Sequence, residues 1–188
     1  MSKKEIVRCG WCGTDKLYQD YHDKEWGKPT NDDKILFEFL ILESAQAGLS
    51  WITILKKREG YRKAFSNFDY KKIAKYSDAD VDRLLEDTGI VRNKLKIASS
   101  IHNAKIFMEI QKEFGSFYNY LYSFLPDQKP IVNFLEDLKD APAKTELSDK
   151  IAKDLKKRGI KFFGSTTCYA YMQAIGMVND HLVSCSFR

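Results

Sequence analysis

The chain has 188 residues, 44% of them hydrophobic and 30% charged, enough to bury a core and too apolar for a disordered or fibrous protein. Four cysteines are too few for a disulfide scaffold and point to metal binding or reduced thiols. A net charge of +5 permits nucleic-acid binding without requiring it. The short apolar runs and the polar start Met1-Ser2-Lys3-Lys4-Glu5 predict a cytoplasmic protein with no membrane contact.

In chain order, residues 1–30 read as irregular, with Gly10, Gly13, Gly27 and Pro29 punctuating a cluster of Trp11, Tyr18, Tyr21 and Trp26. Such aromatics seal cores, and they also serve as platforms for stacked bases. Cys9, Cys12 and His22 in the same stretch allow two metal readings, a Cys9–Cys12 pair or a Cys9–His22 arm.

Residues 32–57 form a strongly apolar helical run that breaks at Ala47-Gly48-Leu49-Ser50 and resumes at Trp51. Asp32 and Asp33 suit an N-terminal cap, and Leu36, Phe37, Phe39, Leu40 and Leu42 predict burial. An acid within that surface, Glu43, has to be compensated, because an unpaired buried carboxylate costs several kcal/mol. A structural ion pair with Arg or Lys is one reading and a functional carboxylate is the other.

Shorter helices are predicted at 61–65 and 69–75, and Ser77 to Asp80 reads as a capping box ahead of Val81, Leu84 and Leu85. That helix is expected to stop at Thr88-Gly89. A second one over 93–112 carries a predicted apolar stripe of Leu95, Ala98, Ile101 and Met108. Helix, glycine hairpin and helix in this order, over 78–112, suit an ordinary packed pair or a phosphate clamp at the second helix's N-terminus. Arg92, Lys94 and Lys96 add positive charge there.

A short helix at 116–124 and a polar surface excursion at 126–146 follow. Ser148 is the predicted cap of the next helix, whose Lys153, Lys156, Lys157 and Arg158 complement its dipole before Gly159. The last helix runs through Cys168, Tyr169, Met172 and Met177, with Cys168 read as core. His181 and Cys185, four apart, are expected on one helical face. With Cys9 and His22 they complete a Cys2His2 set suited to a structural zinc ion, one per chain, that staples 1–30 to 165–188. Cys12 competes with Cys9 but leaves His22 without a role, and His102 receives none.

Arg8-Cys9-Gly10-Trp11, Tyr21-His22-Asp23 with Glu25-Trp26-Gly27, Gln46-Ala47-Gly48-Leu49-Ser50-Trp51, Lys156-Lys157-Arg158-Gly159 and Asn179-Asp180-His181 occur in this order across nearly the whole chain. Together they resemble the DNA-3-methyladenine glycosylase I family. The resemblance implies an all-α helix-hairpin-helix glycosylase fold as a single unit over 1–188, with a zinc site at Cys9, His22, His181 and Cys185. It implies a monomeric, monofunctional enzyme that flips a damaged nucleotide out of double-stranded DNA and releases 3-methyladenine. Glu43 would hydrogen-bond the base while Trp11, Tyr18, Tyr21 and Trp51 stack around it. Gly48, Leu49 and Ser50 would fill the gap left in the duplex, and Thr88, Gly89, Ile90 and Arg92 would hold the DNA backbone. The region beyond the hairpin offers Glu109 and Glu113 but no Asp, so no strong general base is expected, and no lysine is placed as a Schiff-base nucleophile. A binding module without chemistry, and a glycosylase for another damaged base, are the alternatives.

Overall fold

The computed structural model describes residues 5–188; residues 1–4, the head of the predicted N-terminal segment, lie outside the described residues. The first thirty residues are more regular than expected. A 3-10 turn at Gly10–Cys12 precedes α1 (Lys16–Lys24), where the Asp15 carboxylate accepts from the Leu17 and Tyr18 amides. Tyr18 and Tyr21 thus sit on a helix rather than on a loop. The polar composition of α1, whose apolar residues are mostly aromatic, hid it from an apolar-period reading.

The centre of the molecule is α2 (Asp33–Gln46), capped by Asp32 and buried almost all round from Leu36 to Ala45. A helix apolar on every face belongs inside a bundle, and α2 packs against four others. These are α3 (Trp51–Ala64), α6 (Lys94–Phe114), α7 (Phe117–Tyr122) and α9 (Ser165–Ala174). The predicted break at 61 is absent, since α3 runs on to Ala64. Asp33 also caps α7, accepting from the Phe117 and Tyr118 amides at 2.9 and 3.0 Å. Phe107 stacks on Phe117 with ring centres 4.2 Å apart, and Phe37 meets Phe107 edge-on.

Between α3 and α6 lie α4 (Tyr70–Ile73) and α5 (Asp78–Glu86), the latter opened by the expected Ser77/Asp80 capping box. The buried stripe of α6 is Ile97, Ile101, Ala104, Phe107 and Ile110. Leu95, 68% exposed, and Met108 lie outside it, because the face is set by the neighbours α2, α4, α5 and α7 and not by the first apolar residue of the helix. The next long helix, α8 (Glu146–Arg158), is capped by Thr145, with Ser148 returning the second bond of a capping box three residues in. Arg158 does more than complement a dipole: it pairs with Glu113 and Asp154.

A two-stranded parallel pair breaks the helical pattern. β1 (Ile131–Val132) lies beside β2 (Val178–Asn179), with Ile131 opposite Val178, and brings the predicted surface excursion against the C-terminal segment. Two residues per strand leave no alternation to read in a sequence. No helix among the described residues is long and apolar enough to cross a membrane.

Candidate active site and metal centre

A pocket of about 310 Å³ opens beside α2 and is lined by all five predicted base-site residues, Trp11, Tyr18, Tyr21, Glu43 and Trp51. Trp11 comes from the 3-10 turn, both tyrosines from α1, Glu43 from the last turns of α2 and Trp51 from the first residue of α3. The rings meet at angles: Trp11 lies 5.0 Å from Tyr18 and 4.8 Å from Trp26, and Tyr21 lies 5.4 Å from Trp51. Edge-to-face contacts of this kind hold the walls while leaving ring faces for a flat ligand.

Glu43 is 3% exposed, and its Oε2 is buried with no partner among the described residues. The ion-pair reading belongs instead to Glu38, five residues earlier, which accepts from Arg58 at 2.6 Å and Arg62 at 2.9 Å. Burial alone pushes the Glu43 carboxyl up to about 8. The indole Nε1 atoms of Trp11 and Trp51 are also buried and unpartnered. Three residues that line the pocket thus hold buried polar atoms without protein partners, which calls for a functional explanation.

Sequence reasoning left out other lining residues. Gln46 and Asp180 lie inside quoted motifs, and Trp26 was noted among the aromatics without a place in the base site; these were the available signals. Leu138, Ala141, Ala170 and Gln173 carried none. Asp180 is 1% exposed and accepts from Asn133, Tyr169 and Gln173, each at 2.7 Å.

The predicted DNA-contacting residues form two surfaces near the pocket. After α2 the chain turns through Gly48, whose φ of +81° suits glycine, and leaves Leu49 40% exposed. Ser50 then caps α3 and shares a 2.7 Å hydrogen bond with the Thr53 hydroxyl. In the hairpin, α5 ends at Glu86, two residues before the predicted stop, and the Asp87 carboxylate takes the Gly89 amide at 2.7 Å. Gly89 does not need a positive φ. Its role is closeness: a Cβ built on Gly89 would lie 2.9 Å from Asp87 Oδ1 and 3.2 Å from the Gly60 Cα of α3, and one built on Gly60 would lie 2.2 Å from the Gly89 carbonyl oxygen. Thr88 and Arg92 are exposed, whereas the Ile90 side chain is buried. Asn93 occupies one amide at the start of α6, that of Lys96. Lys96 ties the two surfaces together, its ammonium donating to the carbonyls of Ala45 and Ala47 at 2.9 and 2.6 Å.

On the far side of Trp26 the chain brings Cys9, His22, His181 and Cys185 together, all buried and with their ligand atoms within 4.8 Å of one another. Cys185 Sγ lies 3.4 Å from His181 Nδ1 and 3.6 Å from His22 Nε2, and Cys9 Sγ lies 3.7 Å from His181 Nδ1. Tetrahedral zinc bonds of about 2.0–2.3 Å give ligand separations of roughly 3.3–3.8 Å, which these three separations match, and two thiols with two imidazoles are a donor set suited to zinc. Each imidazole is held by its other nitrogen, His22 Nδ1 on Asp23 at 2.8 Å and His181 Nε2 on the Trp26 carbonyl at 3.0 Å. Burial lowers the pKa of His22 and takes that of His181 down to about 4, keeping both rings neutral. His181 and Cys185 do not share a helix as expected; they lie in a turn after β2 closed by a Cys185 to Leu182 backbone bond. Cys12 stays outside the set, donating to the Cys9 carbonyl, and His102 meets the Gly159 carbonyl at the end of α8.

The fold and the site define a helical protein with an aromatic-lined pocket beside a buried carboxyl group. Residues 11–188 match the family model described as methyladenine glycosylase. The chain is 51% identical over 179 residues to the DNA-3-methyladenine glycosylase of Haemophilus influenzae, covering 95% of this chain and 96% of that one. It is 49% identical to DNA-3-methyladenine glycosylase 1 of Escherichia coli, covering 96% of each. A structure of a single-substitution variant of 3-methyladenine DNA glycosylase I in complex with 3-methyladenine superposes with a TM-score of 0.92 at 36% identity, covering 95% of this chain and 96% of that one. The chain belongs to the methyladenine glycosylase family and is a glycosylase.

Proposed function

We propose that this enzyme excises 3-methyladenine from alkylated double-stranded DNA, hydrolysing the N-glycosidic bond and leaving an abasic site for base-excision repair. The observation that carries this reading is the unpartnered Glu43 carboxylate inside an aromatic pocket. N3-methylation makes adenine a cation, attractive to ring faces and to a carboxylate and already a good leaving group. The nucleotide leaves the stack at a cost of a few kcal/mol, least for a poorly paired damaged base. Leu49, carried by Gly48 and Ser50, fills the gap while Thr88, Gly89, Ile90 and Arg92 grip the backbone.

When the bond breaks, its electrons pass to the base, which leaves neutral, and positive charge moves to the sugar, where water adds and gives up a proton to solvent. The attraction between Glu43 and the base falls along that path. Glu43 therefore acts more in recognition than in acceleration, and an unmodified adenine, lacking the charge, is refused twice. Zinc at Cys9, His22, His181 and Cys185 is structural, a closed four-ligand set that supplies no chemistry to the reaction. The protein works as a single unit and as a monomer.

The test is chromatography of bases freed from methylated duplex DNA. Release of 3-methyladenine and not 7-methylguanine is the expected result. A folded, zinc-loaded protein that frees neither would be a binding module.

A further inference from the structure

The pocket wall formed by α9 and the segment after β2 has no part in the reading above, yet it is built with care. Gln173 lines the pocket from the last turn of α9, and its Nε2 donates to Asp180 Oδ2 at 2.7 Å. Asp180 is buried, and its other partners, the Asn133 amide on Oδ1 and the Tyr169 hydroxyl on Oδ2, are also donors. A carboxylate accepts from its partners, so this network fixes which way round the Gln173 amide stands. The NH2 group is committed to Asp180. The carbonyl oxygen has no protein partner among the described residues, so Gln173 and Glu43, which both line the pocket, each keep a free acceptor.

Two acceptors in one pocket suit a ring that carries an amine. Adenine presents a two-hydrogen donor at C6, where guanine presents a carbonyl oxygen. Methylation at N3 gives both bases the same charge, so neither charge nor stacking separates 3-methyladenine from 3-methylguanine. A directional group must. We infer that Gln173, oriented by Asp180, is a specificity-determining residue that accepts from the C6 amine of the flipped base and turns away 3-methylguanine. The inference rests on the base-excision reading. Asp180 is the positioning residue: without its carboxylate the amide is free to turn its NH2 inward and welcome an O6 acceptor.

The experiment follows single-turnover release of both methylated purines from the same methylated duplex DNA. Gln173→Leu keeps the bulk and deletes the acceptor, and the ratio of 3-methyladenine to 3-methylguanine release should fall about tenfold or more. A folded variant with an unchanged ratio overturns the assignment of Gln173 while excision itself stands. Failure of the wild type to release either base removes the excision reading and this inference with it. A second measurement needs no variant. In ¹⁵N-labelled wild-type protein, free 3-methyladenine should shift the side-chain amide resonances of Gln173, and resonances that stay in place at saturation would equally sink the proposal.

Discussion

Two buried acids on one helix divide structural from functional work. Glu38 spends its charge on Arg58 and Arg62, whereas Glu43 keeps Oε2 unspent, so burial raises the Glu43 pKa to about 8 and disfavours its charged form in the empty pocket. The native state then holds a proton that the unfolded state has lost between pH 4.5 and about 8, and stability conferred by the neutral acid declines as pH rises through that window. Glu43→Gln removes the titration. Its melting temperature should match the wild type near pH 5 and exceed it near pH 9, and a variant that collapses at every pH would return Glu43 to a structural role. A cationic base is bound by the ionised form, so wild-type kcat/KM should climb with pH toward about 8, and this limb should vanish in the variant. KM should rise more than kcat falls, because the charge attraction weakens as the bond breaks. Glu43 was legible in the sequence as an acid inside an apolar run, but Glu38 interrupts the same run, and only the tertiary contacts tell the ion-paired acid from the unpaired one. Asp180 was visible only as part of a quoted motif, and Gln173 not at all, since a polar residue on the last helix says nothing until α9 packs it beside the pocket.

At the scale of elements, the turn at Gly48 to Ser50 and the hairpin are held at fixed spacing by contacts no periodicity reveals. Caps marked α2 and α5 well because Asp32 and the Ser77/Asp80 pair satisfy amides locally. The stripe of α6 and the turn carrying His181 were misplaced because distant neighbours decide which local option wins, and the start of α8 because Ser148 serves as the third residue of a capping box opened by Thr145. Lys96 is such a long-range contact, reaching from α6 to the last carbonyls of α2 just before Leu49. Lys96→Met keeps the stem and deletes both bonds. Stability should drop by about 1 kcal/mol, and affinity for DNA containing an abasic site should weaken several-fold while free 3-methyladenine binds as before. Equal weakening for both ligands would show a collapsed pocket instead. Gly60→Ala tests the other side of the hairpin, for its Cβ would fall 2.2 Å from the Gly89 carbonyl. Neither α3 nor the hairpin backbone has a flexible end to yield, so urea denaturation should show a loss of about 1–3 kcal/mol or more. A neutral result would mean the two backbones separate freely.

Across the whole molecule, the Cys/His cluster does more than join the two ends of the chain. The His22 ring lies 5.3 Å from Trp11, and the His181 ring lies 4.7 Å from Trp26, so two pocket walls rest on the ligands themselves. The core around α2 is independent of that cluster, being made by α3, α6, α7 and α9. Loss of a metal ion held by these four residues should therefore loosen the pocket before it unfolds the protein. His181→Ala is expected to lower bound zinc from one per chain to none, to reduce the melting temperature, and to weaken quenching of tryptophan fluorescence by free 3-methyladenine while far-UV helix content persists. Chelation of the wild type should reproduce all three changes and added zinc should reverse them, whereas added zinc should do nothing for the variant. Unchanged zinc stoichiometry would remove His181 from the ligand set. Zinc loss with base binding intact would leave the cluster a staple for the ends of the chain, without the hold on Trp11 and Trp26 that the ring contacts give it.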